Sequence, residues 1–163
     1  MANYETHISH AKNNLDFLNK INTVCNDSWD WQVTVCFYSA LHLINAHVVK
    51  TTGKNYITHK LTSEAISPHN TLSLAKVNED VYLAYEKLLR LSRRSRYLLG
   101  ENFNNPKDIN EKPVSLTNSK HFIRALKHLE VIMDFIKDSY KEEFKIYNVL
   151  CTDLKISLTY FKI

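Results

Sequence analysis

Four arginines fall within seven residues of this chain, at Arg90, Arg93, Arg94 and Arg96. A guanidinium grips phosphate through two parallel hydrogen bonds and keeps its charge at any physiological pH, so this run is the densest candidate for phosphate or nucleic-acid binding. The competing reading is a solvated helix face, partly neutralised by Glu86 four and seven residues before Arg90 and Arg93. Two histidines are candidate acids or bases, because imidazole titrates near neutral pH. His42 lies one helical turn past Tyr38, where a buried, hydrogen-bonded ring or a contact across a dimer axis is the alternative. His59 follows Thr58, a possible helix cap beside N–H groups that favour an anion; the alternative is a structural tie from that turn to the preceding helix. Arg124 and His128 form a weaker pair, one turn apart. His7 and His10 share a helix face, but no carboxylate or cysteine stands at a spacing that completes a metal site. Neither a glycine-rich phosphate loop nor a Gly-x-Ser-x-Gly elbow occurs, and no cofactor is indicated.

These side chains need scaffolding, and composition says which kind. The 163 residues suffice for one domain with its own core, at 44% hydrophobic and 23% charged. With only 2 glycines and 3 prolines, long helices are favoured over many tight turns. Cys25, Cys36 and Cys151 are odd in number and far apart, which fits a reducing cytoplasm better than a disulfide framework. The net charge of +4 is weak support for an acidic partner. No export signal is expected, since the N-terminus lacks a charged start followed by an apolar stretch and a small-residue cleavage site. The apolar run Val33 to Val49 contains Thr34, Ser39, His42, Asn45 and His47 and falls short of the ~20 residues that span a bilayer, so no membrane role is expected.

Periodicity predicts a first helix over Tyr4 to Val24, with Ile8, Ala11, Leu15 and Leu18 in its stripe. A second starts behind Asp27 or Ser28 and ends near Thr52 before Gly53. Its apolar residues cover two sides: Val33, Phe37, Ala40, Leu41, Ile44 and Val48 on one, Trp31, Val35, Tyr38, His42, Asn45 and Val49 on the other. Such a helix must be central, buried by its bundle together with either a loop or a second copy. A short helix runs from Thr58 to Ile66, and another from about Asn78 to Leu99 with Glu79 and Asp80 in its first turn. Glu101 to Leu116 is polar, holds Pro106 and Pro113, and is expected as a loop. The last long helix, capped by Thr117 or Ser119, is expected to reach Tyr147. In the tail, Leu154, Ile156, Leu158 and Tyr160 alternate with polar residues, as in a strand, and pairing with a dimer counterpart or a further short helix are the expected outcomes. The fold class is therefore all-α, an up-and-down four- to five-helix bundle over residues 1–147 with an appended tail over 148–163.

The ordered set "HAKNNLDFLNKI", "WDWQVTVCFYSALHLINAH", "TGKNYITHK" and "YEKLLRLSRRSRY" resembles the HEPN domain group, small helical bundles of prokaryotes, over His10 to Tyr97. The resemblance implies a bundle that often forms homodimers and works with RNA or nucleotides. Many members are metal-independent ribonucleases with an Arg-x(4 to 6)-His motif. Here that motif is missing: "YLLGENFNN" follows Arg96, and no histidine comes before His121. The expected function is thus a non-catalytic HEPN-like homodimer binding nucleotide, RNA or a partner protein. The alternatives are a ribonuclease using His42, His59 and the arginines, and a structural or regulatory dimer without a nucleic-acid role.

Overall fold

Asn3 opens the first helix by accepting the Thr6 N–H at 2.8 Å, as a short side-chain oxygen does at an N-cap. In this computed structural model, which describes residues 2–56, 58–97 and 116–163, five helices follow in order. They are α1 (Tyr4–Val24), α2 (Trp29–Thr52), α3 (His59–Ile66), α4 (Glu79–Tyr97) and α5 (Ser119–Tyr140). The protein is an all-α bundle. Helix α2 packs on all four of the others, most extensively on α1, then on α5 and α4.

The centrality of α2 follows from its apolar girth. Val33, Cys36, Phe37, Ala40, Leu43, Ile44, Ala46 and Val48 are all essentially inaccessible. By length and composition α2 can cross a membrane, yet 72% of its most apolar window is buried inside the protein. Its second side is less covered than its pattern predicts: Val35 is buried, Tyr38, His42, Asn45 and Val49 are partly so, and Trp31 is 62% exposed. Ser28 holds the N-cap position without a side-chain capping bond, and Asp30 supplies negative charge in the first turn. At the other end Gly53 takes φ 68°, and its N–H returns to the Val49 carbonyl at 2.9 Å. That left-handed conformation is the reason for glycine there.

Three boundaries differ from expectation. Asn118, not Thr117 or Ser119, caps α5, in a capping box with His121. Helix α5 ends at Tyr140 rather than Tyr147, because Lys141 turns left-handed at φ 60° and its N–H closes on the Lys137 carbonyl at 2.8 Å. Phe144 still packs on the core from the segment beyond, which is why the apolar period outlasts the helix. The tail pairs within its own chain: β1 (Tyr147–Asn148) and β2 (Phe161–Lys162) form a parallel ladder with Tyr147 opposite Phe161. Asn22, fully buried, accepts the Leu150 N–H at 2.6 Å and donates to Gln32 at 2.8 Å, tying the tail to α1 and α2. Asp134 accepts the Tyr160 hydroxyl at 2.8 Å, and Glu130 accepts the Thr159 N–H. The expected loop lies outside the described residues except Leu116, as do Leu98 and Leu99 of the predicted helix.

Candidate phosphate site

Thr58 places His59 as the first residue of α3 by accepting the Leu61 N–H at 3.2 Å. The His59 ring meets the edge of buried Phe37 of α2, with centroids 5.2 Å apart. From α4, Arg93 and Arg96 come close enough to act on it: burial first, then these two charges, hold His59 below the ordinary imidazole pKa. Its Nδ1 is buried without a partner. Arg96 is positioned by aromatic and backbone groups. Its Nη1 donates to the Tyr38 hydroxyl at 3.4 Å, its Nε donates to the Ser92 carbonyl at 3.4 Å, and its guanidinium lies 5.0 Å from the Tyr97 ring centre.

Two further polar atoms on the same side of α4 are buried without partners, the Tyr85 hydroxyl and the Ser92 Oγ. Tyr85 lies 6.0 Å from Phe37, and burial followed by Glu86 raises its pKa while Arg93 draws it down. The junction of α2, α3 and α4 therefore sets His59 and Tyr85 against the Phe37 ring, with two guanidiniums acting on the imidazole and unsatisfied hydroxyls on the same side of α4. Such a set suits an anion carrying several acceptor oxygens.

His42 does not join it. That ring faces α1, where its Nδ1 lies 3.1 Å from the Nδ1 of His7 and its face stacks on His10 at 4.4 Å. The Asn55 amide donates to the Ala2 carbonyl at 2.9 Å, so its oxygen accepts from His7 Nε2 at 2.9 Å. His7 Nδ1 must then accept, and His42 Nδ1–H donates. Burial first, then His10 and His7, lowers the His42 pKa to about 4. This is a structural tie between α1, α2 and the connector, and it separates His42 from the arginines. His47 is likewise fixed, donating to the Ala75 carbonyl at 3.0 Å with the Tyr140 hydroxyl 2.6 Å from its other nitrogen.

Arg90 of α4 is exposed, and Arg94, partly buried, acts on His121 of α5. His128 of the Arg124 pair faces cations, and burial, then Lys87, Lys127 and Arg124, lowers its pKa. Among the described residues no group of three or more histidine, cysteine, aspartate or glutamate side chains is arranged to hold a metal. A hollow of about 390 Å³ beside Arg96 is lined also by Trp29, Asp27 and Asp30. Those two carboxylates direct an anion to the His59 side of Arg96. The sequence flagged His59 and the arginines separately; Tyr38, Tyr85 and Ser92 carried no motif, and only helical phase on α4 hinted that Tyr85, Ser92 and Arg96 share a side. The chain matches no protein-family model, no curated protein and no solved structure.

Proposed function

We propose that the chain is a phosphate-recognising helical module of HEPN type that binds RNA or a nucleotide as a homodimer without cleaving it. The observation that carries this reading is the approach of Arg93 and Arg96 to His59 against the Phe37 wall. An incoming phosphate gains bidentate contacts from the guanidiniums, and a protonated His59 ring donates from both of its nitrogens. Pairing of two copies through α1 and α2 is supported by the exposed Phe17 and Val24 of α1 and by Trp31 of α2.

The test is labelled RNA incubated with wild type, His42→Ala, His59→Ala, an Arg93/Arg94 double alanine and an Arg93/Arg96 double alanine. Intact RNA bound by wild type, with affinity falling in the Arg93/Arg96 variant and in rising salt, is the expected result. A second reading, a metal-independent ribonuclease, is favoured by one feature: His59 is held neutral beside two guanidiniums, the state a general base needs. Cleavage products that disappear in His59→Ala and persist in His42→Ala would establish that reading instead. Neither binding nor cleavage by wild type would leave the dimer without a nucleic-acid role, and equal binding by all variants would move the RNA site away from this junction. The solution mass, with Trp31→Glu as the comparison, tests the pairing.

A further inference from the structure

The hollow of about 390 Å³ beside Arg96 lies where the turn into α2, the last turn of α4 and the approach to α5 meet. Its size falls within the roughly 300–1,000 Å³ of small-ligand sites. Trp29, the first residue of α2, gives it a braced aromatic wall: the indole is half-buried, with its centre 5.6 Å from the fully buried Phe122 ring. Ser95 and Thr117 close it between α4 and α5, their hydroxyls 3.0 Å apart. Asp27 and Asp30 bring two exposed carboxylates from the α2 side, and Arg96 brings a guanidinium from α4. Opposite charges thus share this space without pairing. Among the described residues no ion pair joins Arg96 to either aspartate; its Nη1 donates to the Tyr38 hydroxyl and its Nε to the Ser92 carbonyl, each at 3.4 Å. The helix dipole explains an acidic first turn of α2, but not an indole and a guanidinium around the same hollow.

A ligand that fits such a slot offers a flat face to the indole, donors to the carboxylates, which only accept, and acceptors to the guanidinium, which only donates. A nucleobase stacked on an aromatic side chain is flat in this way. Guanine is the base with two donors on one edge, N1–H and the N2 amino group, and two acceptors on the adjoining edge, O6 and N7, the pair that arginine bonds bidentately. Adenine presents an amino donor where guanine has O6 and carries no N1–H, while cytosine and uracil have one donor site each. A free amine suits the aspartates but is repelled by Arg96. We infer that this hollow is a guanine subsite, in which the base stacks on Trp29, its donor edge meets Asp27 and Asp30, its O6/N7 edge meets Arg96, and the attached phosphate lies toward the His59 junction. The inference rests on the phosphate reading of that junction and deepens it, from any nucleotide to a guanine nucleotide, free or within an RNA strand. The two places are linked by contact: Arg96 bonds Tyr38, the Tyr38 ring lies 5.5 Å from Phe37, and Phe37 meets His59 at 5.2 Å.

The experiment is quenching of Trp29 emission in a Trp31→Phe protein, a change at an exposed position that leaves Trp29 as the remaining tryptophan. The titrants are the 5′-monophosphates of guanosine, adenosine, cytidine and uridine, guanosine itself, and spermidine, at constant ionic strength. Guanosine monophosphate should bind about tenfold or more tighter than the other three nucleotides. Asp27→Asn with Asp30→Asn should bring the guanosine-to-adenosine affinity ratio to within about twofold of one, in protein shown by urea unfolding to keep its fold. Equal affinity for the two purine nucleotides in the parent protein, an unchanged ratio in the aspartate variant, or spermidine binding as tightly as guanosine monophosphate would overturn the inference. Guanosine separates it from the phosphate reading. If guanosine binds as tightly as its monophosphate, the base subsite stands and the junction falls; if phosphate strengthens all four nucleotides with no preference among bases, the junction stands and the subsite falls. Two uridine pentanucleotides with a central guanine or adenine distinguish the sources: a preference larger than that between the mononucleotides assigns the guanine to a strand, and one no larger assigns it to a free nucleotide.

Discussion

Acidification should destabilise this protein through His42 in particular. The ring is half-buried, donates from Nδ1 to His7, and stacks on His10, so a proton on it meets lost hydration and two neighbouring imidazoles. Its folded pKa of about 4 lies below the ordinary imidazole value of about 6.5. The unfolded chain therefore binds more protons between these values, and stability present above about 6.5 is lost as pH falls towards 4. At 1.36 kcal/mol per pKa unit the gap corresponds to about 3.4 kcal/mol; solvent screening at a half-buried ring reduces it to about 1.5 kcal/mol. The perturbation is His42→Asn, whose amide N–H can replace the Nδ1–H toward His7 and does not titrate. Urea unfolding at pH 7.5, 6.0, 5.0 and 4.5 is the assay. The variant should start within about 1 kcal/mol of wild type at pH 7.5 and lose about 1.5 kcal/mol less by pH 4.5. Parallel losses in the two proteins would refute the reasoning, because the pH dependence would then arise elsewhere.

Gly53→Ala should cost about 1 kcal/mol in thermal or urea unfolding: φ is 68°, and nothing within 4 Å of the added methyl adds a clash. Asn22→Leu removes the link between Gln32 and the Leu150 N–H, leaving the Gln32 Oε1 and that N–H unpaired, and should cost about 2 to 3 kcal/mol, with hydrogen exchange accelerated first over residues 147–163. Tyr85→Phe removes a buried hydroxyl without a partner. It should leave unfolding free energy within about 1 kcal/mol of wild type or raise it, while weakening RNA binding if the junction holds phosphate.

The fold was legible wherever a local signal fixed it. Gly53 and the Thr58 cap each mark a boundary by local chemistry within a few residues, whereas the Asn3 cap of α1 was not singled out. The end of α5 was not legible, because Lys141 is an ordinary residue in a left-handed conformation and the apolar period runs on to Phe144. The tail's alternation put Leu154, Leu158 and Tyr160 inside, but these residues form no strand: Ile156 is 37% exposed, and the ladder is confined to Phe161–Lys162 against Tyr147–Asn148. At the candidate site, residue types were visible and their company was not. Arg96 meets Tyr38 across 58 positions of chain, and His42 meets His7 across 35, distances over which only tertiary packing decides. Helical phase put Lys87, Arg90, Arg93 and Arg94 on one basic face with Arg96 at its edge, whereas in the folded chain Arg93 and Arg96 both act on His59.

The most direct measurement of the central claim is the His59 ring titration by NMR, in the free protein and with a short RNA added. Without ligand His59 should titrate below about 6.5, and saturation with RNA should move it upward as phosphate offsets Arg93 and Arg96. An unchanged His59 titration, with RNA demonstrably bound, would contradict the assignment of this junction as the phosphate site.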